Sequence, residues 1–569
     1  MKRIFTLCLS LAFAGLSVNA EERSEYEMQR IAEKQLLGTI TRSMAASSIE
    51  KVKIGDNYNI YGASGMGFVV VSNDDSFNAV LGVSDKDYYG EFMPDGFKWW
   101  LNAIDKSMSY YKANGISTVR EYAVEPVKQL MTTQWGQDYP FNKYCPSVDG
   151  TTAPTGCQAT AMAQIMKYHR YPEKGTGMQV YTVVDKKGKT SSKFHRISNT
   201  YDWDNMRDYY AFVYTDAEVD AVSKLMIDCG ASVKMEYTST FSGSSQNDAA
   251  LALINNFGYN SVTMQQCWKM YYNDEEWFEM IYHELSNKRP VLYRGQDALQ
   301  GGHAFVFDGV DAEGKVHVNW GWNGSADGYF DFNNLAPNVS GSASLYNEMP
   351  AMVIGIKKEA PVEGEAVVSQ WVSDGKYIFQ AAPGNSIDLY LDNMWNMNFR
   401  DFDGEILVSI ENTNGKIDDS ILASIYSSKS LDENGQDGTV PSMMGFIMRD
   451  EVTGAMSKIS LAELNFSRLK AGVYRAYLCT IGYSAGEYLQ FLRCPGGVLI
   501  YTIEKSIDGT MKVYEGDPLV ANGIESVTAA GKSNVQGIFN LNGMRMPSMQ
   551  KGINIIKNAE GNVMKVMAK

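Results

Sequence analysis

The chain has 569 residues, enough for about three to five domains of ordinary size. It is 44% hydrophobic, 12% aromatic and 21% charged, the composition of a folded rather than a disordered protein. Lys and Arg number 51 against 66 Asp and Glu, a net charge of −15 that argues against nucleic acid as a partner. No internal run approaches the ~20 apolar residues that an integral membrane span requires.

The first twenty residues read as a secretory signal peptide. Lys2 and Arg3 precede an apolar run, and Val18-Asn19-Ala20 supplies small residues at a cleavage point before Glu21-Glu22-Arg23. A buried N-terminal helix is the competing reading. Cys8 lies inside the apolar run and is lost on processing. Six cysteines then remain, at 145, 157, 229, 267, 479 and 494, without a CxxC pair and without zinc-like spacing to the five histidines. No metal or cofactor is expected. Cys145 is expected in an exposed loop, where a disulfide is conceivable.

Residues 21 to about 120 form a small α+β unit. Helical stretches are expected at 24–41 and 97–113, the second with Trp100, Ile104, Met108 and Tyr111 at helical spacing and a stop at Asn114-Gly115. Between them, Gly67-Phe68-Val69-Val70-Val71 and Ala79-Val80-Leu81-Gly82-Val83 read as a hairpin.

Thr155-Gly156-Cys157-Gln158 then opens a helix with apolar residues at 159, 162, 163 and 166. Thr155 is the expected N-cap. Cys157 falls in the first turn, where unpaired N–H groups and the helix dipole favour a thiolate. Further on, Gly301-Gly302-His303 starts a strand, the turn Asp311-Ala312-Glu313-Gly314 follows, and Val316-His317-Val318-Asn319-Trp320-Gly321-Trp322 returns. Such a hairpin carries Asn319 back towards His303, where its amide would orient the imidazole and a tryptophan would shield the contact. That completes a set of nucleophile, base and orienting group.

Past residue 358 a charged linker precedes short alternating strands at 387–391, 406–410 and 473–478, the pattern of a β-sandwich over 366–518. A polar stretch from 519 then leads to a tail with short glycine-bounded strands near 537–543 and 552–556.

Thr155-Gly156-Cys157, Ala163-Gln164-Ile165-Met166-Lys167-Tyr168-His169, Gly302-His303-Ala304-Phe305-Val306 and Val318-Asn319-Trp320-Gly321-Trp322 together resemble the streptopain family of papain-like cysteine peptidases. The likeness covers roughly residues 25–357. It implies an α+β fold: a papain-like catalytic domain at 123–358, its helical subdomain facing a β-subdomain, behind an inhibitory α+β propeptide at 21–122. It further implies Cys157 as nucleophile, His303 as general base and acid, Asn319 orienting His303, and Trp320 beside it. Trp135-Gly136-Gln137-Asp138-Tyr139-Pro140 resembles the family's segment upstream of the nucleophile, which makes Gln137 an oxyanion donor with the N–H of Cys157. Gln134 competes for that role, and the twenty residues between Gln137 and Cys157 must fold back for either.

Processing is expected near residues 120–125, with Arg120 a candidate cut point. The family favours a bulky hydrophobic residue two positions before the scissile bond. The tail is similar to sorting domains of the type IX secretion route, or else a plain β-hairpin cap. The expected protein is therefore a zymogenic cysteine endopeptidase, secreted or carried to the cell surface through the periplasm, acting on proteins and held by its own propeptide. A papain-like cell-wall amidase or transferase, or a catalytically silent binding protein, are the alternatives.

Overall fold

The computed structural model describes residues 21–521 apart from 38–48, 120–123, 212, 298–300, 333–349, 361–369, 414–419, 430–437, 451 and 484–488, and then strands within 535–568. The expected signal peptide, Arg120 and most of both linkers lie outside the described residues.

One antiparallel sheet of ten strands organises the first 357 residues. Its order is Glu50–Ile54, Tyr58–Ala63, Gly67–Ser72, Val80–Ser84, Gly328–Phe330, Val316–Asn319, Gly301–Val310, Val291–Asp297, Ala351–Ile354 and Gln265–Trp268. The first four strands come from the N-terminal unit. That unit therefore does not close a sheet of its own. Its edge strand Val80–Ser84 pairs with Gly328–Phe330, and the hydroxyl of Ser84 donates to the carbonyl of Asp327 at 2.7 Å.

Side chains alternate across a strand, so each face of the sheet carries every second residue. Tyr293, Phe305 and Phe307 belong to a core shared with the helix Asp95–Ala113 of the N-terminal unit and the helix Asp274–Ser286. Leu292, Ala304, Val306 and Val353 belong to a second core, shared with the helices Cys157–His169, Asp216–Ser232 and Gln246–Asn255. The sheet is thus sandwiched between two helical layers. The Asp95–Ala113 helix buries Phe97, Trp99, Trp100, Leu101, Ile104, Met108 and Tyr111 on one face, each fully buried large apolar side chain contributing about 1.5–3 kcal/mol. It stops where expected, at Asn114, with Gly115 at φ 64° and Ile116 N–H returning to Tyr111 O at 2.9 Å.

Beyond the charged linker the chain is built from strands. The expected segments appear as Ser386–Leu391, Gly404–Asn412 and Gly472–Gly482, and several sheets enclose one core that includes Trp371, Leu389, Ile406, Val408, Tyr474 and Leu478. This region is anchored to the first. Buried Arg493 forks onto Glu276 with two contacts of 3.1 Å, donates to Tyr271 O at 3.0 Å, and lies 4.2 Å from the Tyr272 ring centroid. In the tail, Val535–Phe539, Arg545–Met546, Gly552–Asn558 and Val563–Ala568 pair into a four-stranded sheet.

Candidate active site

The nucleophile helix begins at Cys157 itself. Thr155 is not its cap: Gly156 takes the N-cap position without a side-chain bond, and the Thr155 hydroxyl instead meets that of Thr160 at 2.8 Å. The reason is steric. Gly156 sits at φ 88°, and a Cβ there would come within 2.6 Å of Met235 Cε and 3.0 Å of Ser242 O. Only glycine fits before the thiol.

Cys157 is partly buried and its sulfur accepts the N–H of Ala304 at 3.4 Å. The strand that carries His303 therefore lies directly on the nucleophile. The thiolate expected from the helix start is not what this state favours. Burial raises the Cys157 pKa, the N–H groups of Ala304, Gln158 and Cys157 work to lower it, and the carboxylate of Asp95 from the N-terminal unit opposes ionisation.

Strand alternation then separates Cys157 from His303, the two residues expected to react. Ala304 and Val306 face the nucleophile helix, so His303 shares the opposite face with Phe305 and Phe307. His303 pairs with Gly295, and a side chain at Gly295 would overlap the indole of Trp99 from the N-terminal helix. Trp99 also lies 6.0 Å from Phe305. The N-terminal unit thus occupies the His303 side of the sheet.

Asn319 is fully buried opposite Val306, three residues along the strand from His303. Its Oδ1 accepts from Gln164 Nε2 at 2.9 Å and from Gly321 N–H at 3.0 Å, and its Nδ2 donates to Thr133 O at 2.7 Å. Gln164 stands two helical turns after Cys157, on the same side of its helix. Its polarity among apolar neighbours is the sequence signal that the motif reading left without a role. Trp320 is buried between the layers, with Phe305 at 4.7 Å and Phe97 at 6.0 Å, and its Nε1 donates to Ala326 O at 3.0 Å.

The segment between Gln137 and Cys157 does fold back: Thr155 N–H donates to Gln137 O at 2.9 Å. The Gln137 side chain is half-buried and engaged by none of the described residues. The side chain of Gln134 lies near Gly324, 2.8 Å from where a Cβ there would stand, and its backbone N–H donates to Asp208 O at 2.7 Å.

The other described cysteines are free thiols. Cys145, expected to be exposed, is buried, and burial pushes its pKa up to about 12. The loop around it packs down against the second core, so neither exposure nor a disulfide holds. Among the described residues no cluster of His, Cys, Asp and Glu is arranged to hold a metal ion, and no helix is long and apolar enough to cross a membrane.

A thiol heading a helix that packs on a sheet bearing the histidine defines a papain-like cysteine peptidase, here with its N-terminal unit in place. Comparisons agree. The Peptidase C10 family profile matches residues 135–330. Streptopain of Streptococcus pyogenes serotype M28 is 31% identical over 369 residues, covering 60% of this chain and 92% of that protein. The thiol protease/hemagglutinin PrtT of Porphyromonas gingivalis is 31% identical over 399 residues, covering 64% of this chain and 45% of PrtT. Among solved structures, a fragment of prointerpain A from Prevotella intermedia is similar at a TM-score of 0.50 and 33% identity, covering 55% of this chain and 99% of that fragment. The chain belongs to the peptidase C10 family, that of streptopain. It is a cysteine endopeptidase with a prodomain, which displaces the amidase and silent-binder alternatives.

Proposed function

We propose that Cys157 and His303 form the catalytic dyad, and that residues 21–122 hold the pair apart until they are removed. The contact that carries this reading is Ala304 N–H on the Cys157 sulfur, which brings the histidine strand to the nucleophile, with Trp99 against Gly295, the cross-strand partner of His303. Release of the Asp95–Ala113 helix takes away both Trp99 and the Asp95 carboxylate. His303 is then free to turn to the sulfur and take its proton. The thiolate attacks the substrate carbonyl, the oxyanion receives the N–H of Cys157 and the Gln137 amide, and His303 returns the proton to the leaving amine. Water then hydrolyses the acyl-enzyme. Asn319 acts from behind through Gln164 and the Thr133 carbonyl, fixing the hairpin on the nucleophile helix, and Trp320 keeps that side dry.

The domain reading follows: a signal peptide at 1–20, the peptidase at 123–358, a β-sandwich at 366–518, and a linker with a β tail at 519–569. The leader supports export to the periplasm. The tail's separate four-stranded sheet supports recognition by secretion machinery, with the enzyme outside the cell or on its surface.

The test is a time course of purified precursor by mass spectrometry, with casein as substrate. Wild type is expected to shed its N-terminal unit and then digest casein, while Cys157→Ala does neither. Casein cleavage by Cys157→Ala would overturn the assignment.

A further inference from the structure

One cation beside the nucleophile has no role in this mechanism. Arg294 lies on the strand Val291–Asp297, paired with Ala304 on one side and Ala351 on the other. Paired residues share a face, so its side chain leaves the sheet on the side of the nucleophile helix. Ala304 is also the residue whose N–H meets the Cys157 sulfur at 3.4 Å. A Cβ at Gly302 would lie 3.4 Å from Arg294 Nε, which places the arginine side chain alongside the glycine before His303. The guanidinium lies 5.7 Å from the Trp268 ring centroid, and the residue is half-buried.

Arg289, Arg475 and Arg493 each fork onto a glutamate or aspartate. Among the described residues no acidic side chain pairs with Arg294. Burial lowers its pKa, and among the described residues the charge that works to raise it is the Cys157 sulfur. A partly dehydrated guanidinium without a counter-ion is unfavourable, and an incoming carboxylate would relieve it through two parallel N–H bonds. The Trp268 ring beside it favours the cation without supplying a counter-charge.

We propose that Arg294 is a specificity-determining residue that receives an Asp or Glu side chain of the substrate next to the scissile bond. This rests on Cys157 being the nucleophile of a peptidase. It concerns a different substrate position from the bulky hydrophobic residue, two before the scissile bond, that the family likeness implies.

The test uses the processed full-length enzyme and quenched fluorescent peptides that carry Glu, Gln, Leu or Lys at each position flanking one bond. Wild type is expected to cleave a Glu peptide with kcat/KM about tenfold or more above its Gln counterpart. Arg294→Leu should bring that ratio near one while casein is still digested, and Arg294→Lys should keep part of it. A wild type that digests casein but ignores the Glu/Gln difference overturns the specificity alone. So does an acidic preference that persists in Arg294→Leu. Equal losses on all peptides, with iodoacetamide alkylation of Cys157 displaced to higher pH, would assign Arg294 to the thiol instead. A wild type inactive on casein would overturn the peptidase reading itself.

Discussion

Trp99 fills the space that any side chain at Gly295 would need, and Gly295 is the cross-strand partner of His303. A residue of the N-terminal unit is thus built into the strand pair that carries the proposed base. The same helix places Asp95 where its charge disfavours the Cys157 thiolate. One element acts on both halves of the dyad.

Trp99→Ala should loosen this wedge. The precursor is expected to convert several-fold faster than wild type, followed by gel time course at equal concentration, because truncating a buried tryptophan removes about 3–5 kcal/mol of packing. An unchanged conversion rate would show that the wedge does not hold the base.

Asn319 joins three elements through Gln164, Gly321 and Thr133. Asn319→Ala leaves those buried groups unpaired, and a loss of about 2–4 kcal/mol is expected in urea unfolding of the precursor. Activity of the processed enzyme should fall with it. If stability is retained, the residue is not the brace described.

Asp327 is buried where the sheet passes from Gly328–Phe330 to the N-terminal strands, and burial pushes its pKa up to about 7 although Trp320 N–H bonds its Oδ1 at 3.0 Å. A carboxyl with a raised folded pKa holds its proton more tightly when folded. Its contribution is complete below the ordinary aspartate range and is lost as pH rises from about 4 through 7. Neighbouring His317 acts with the same sign: burial disfavours its charge, but the 2.6 Å contact with Asp308 outweighs this and raises its pKa. Asp327→Asn should therefore flatten the fall in precursor melting temperature between pH 4 and 7. A slope identical to wild type would exclude Asp327 as its source.

Arg493 holds the C-terminal strands to the peptidase through Glu276 and the Tyr272 ring. Arg493→Ala leaves the partly buried Glu276 without its partner, and a loss of about 2–4 kcal/mol is expected. Calorimetry should show two separated transitions where wild type shows coupled ones, with casein cleavage retained. A single unshifted transition would mean that the anchor is dispensable.

Local pattern alone revealed much of this protein. The helix starting at Cys157, the hairpin from His303 to Asn319, the stop at Gly115 and the alternating strands past 366 all follow from spacing and turn chemistry, because each depends on neighbours along the chain. Tertiary structure decided the rest. Thr155 looks like a cap, but Met235 and Ser242, far away in sequence, force a glycine into that place. Cys145 looks exposed until the second core closes over it. That His303 lies on the sheet face covered by the N-terminal helix while Ala304 lies on the Cys157 face, and that Arg294 stands near the sulfur with no acidic partner among the described residues, depend on strand register and on which layer covers each face. Those are set by long-range pairing and packing, which no local stretch of residues encodes.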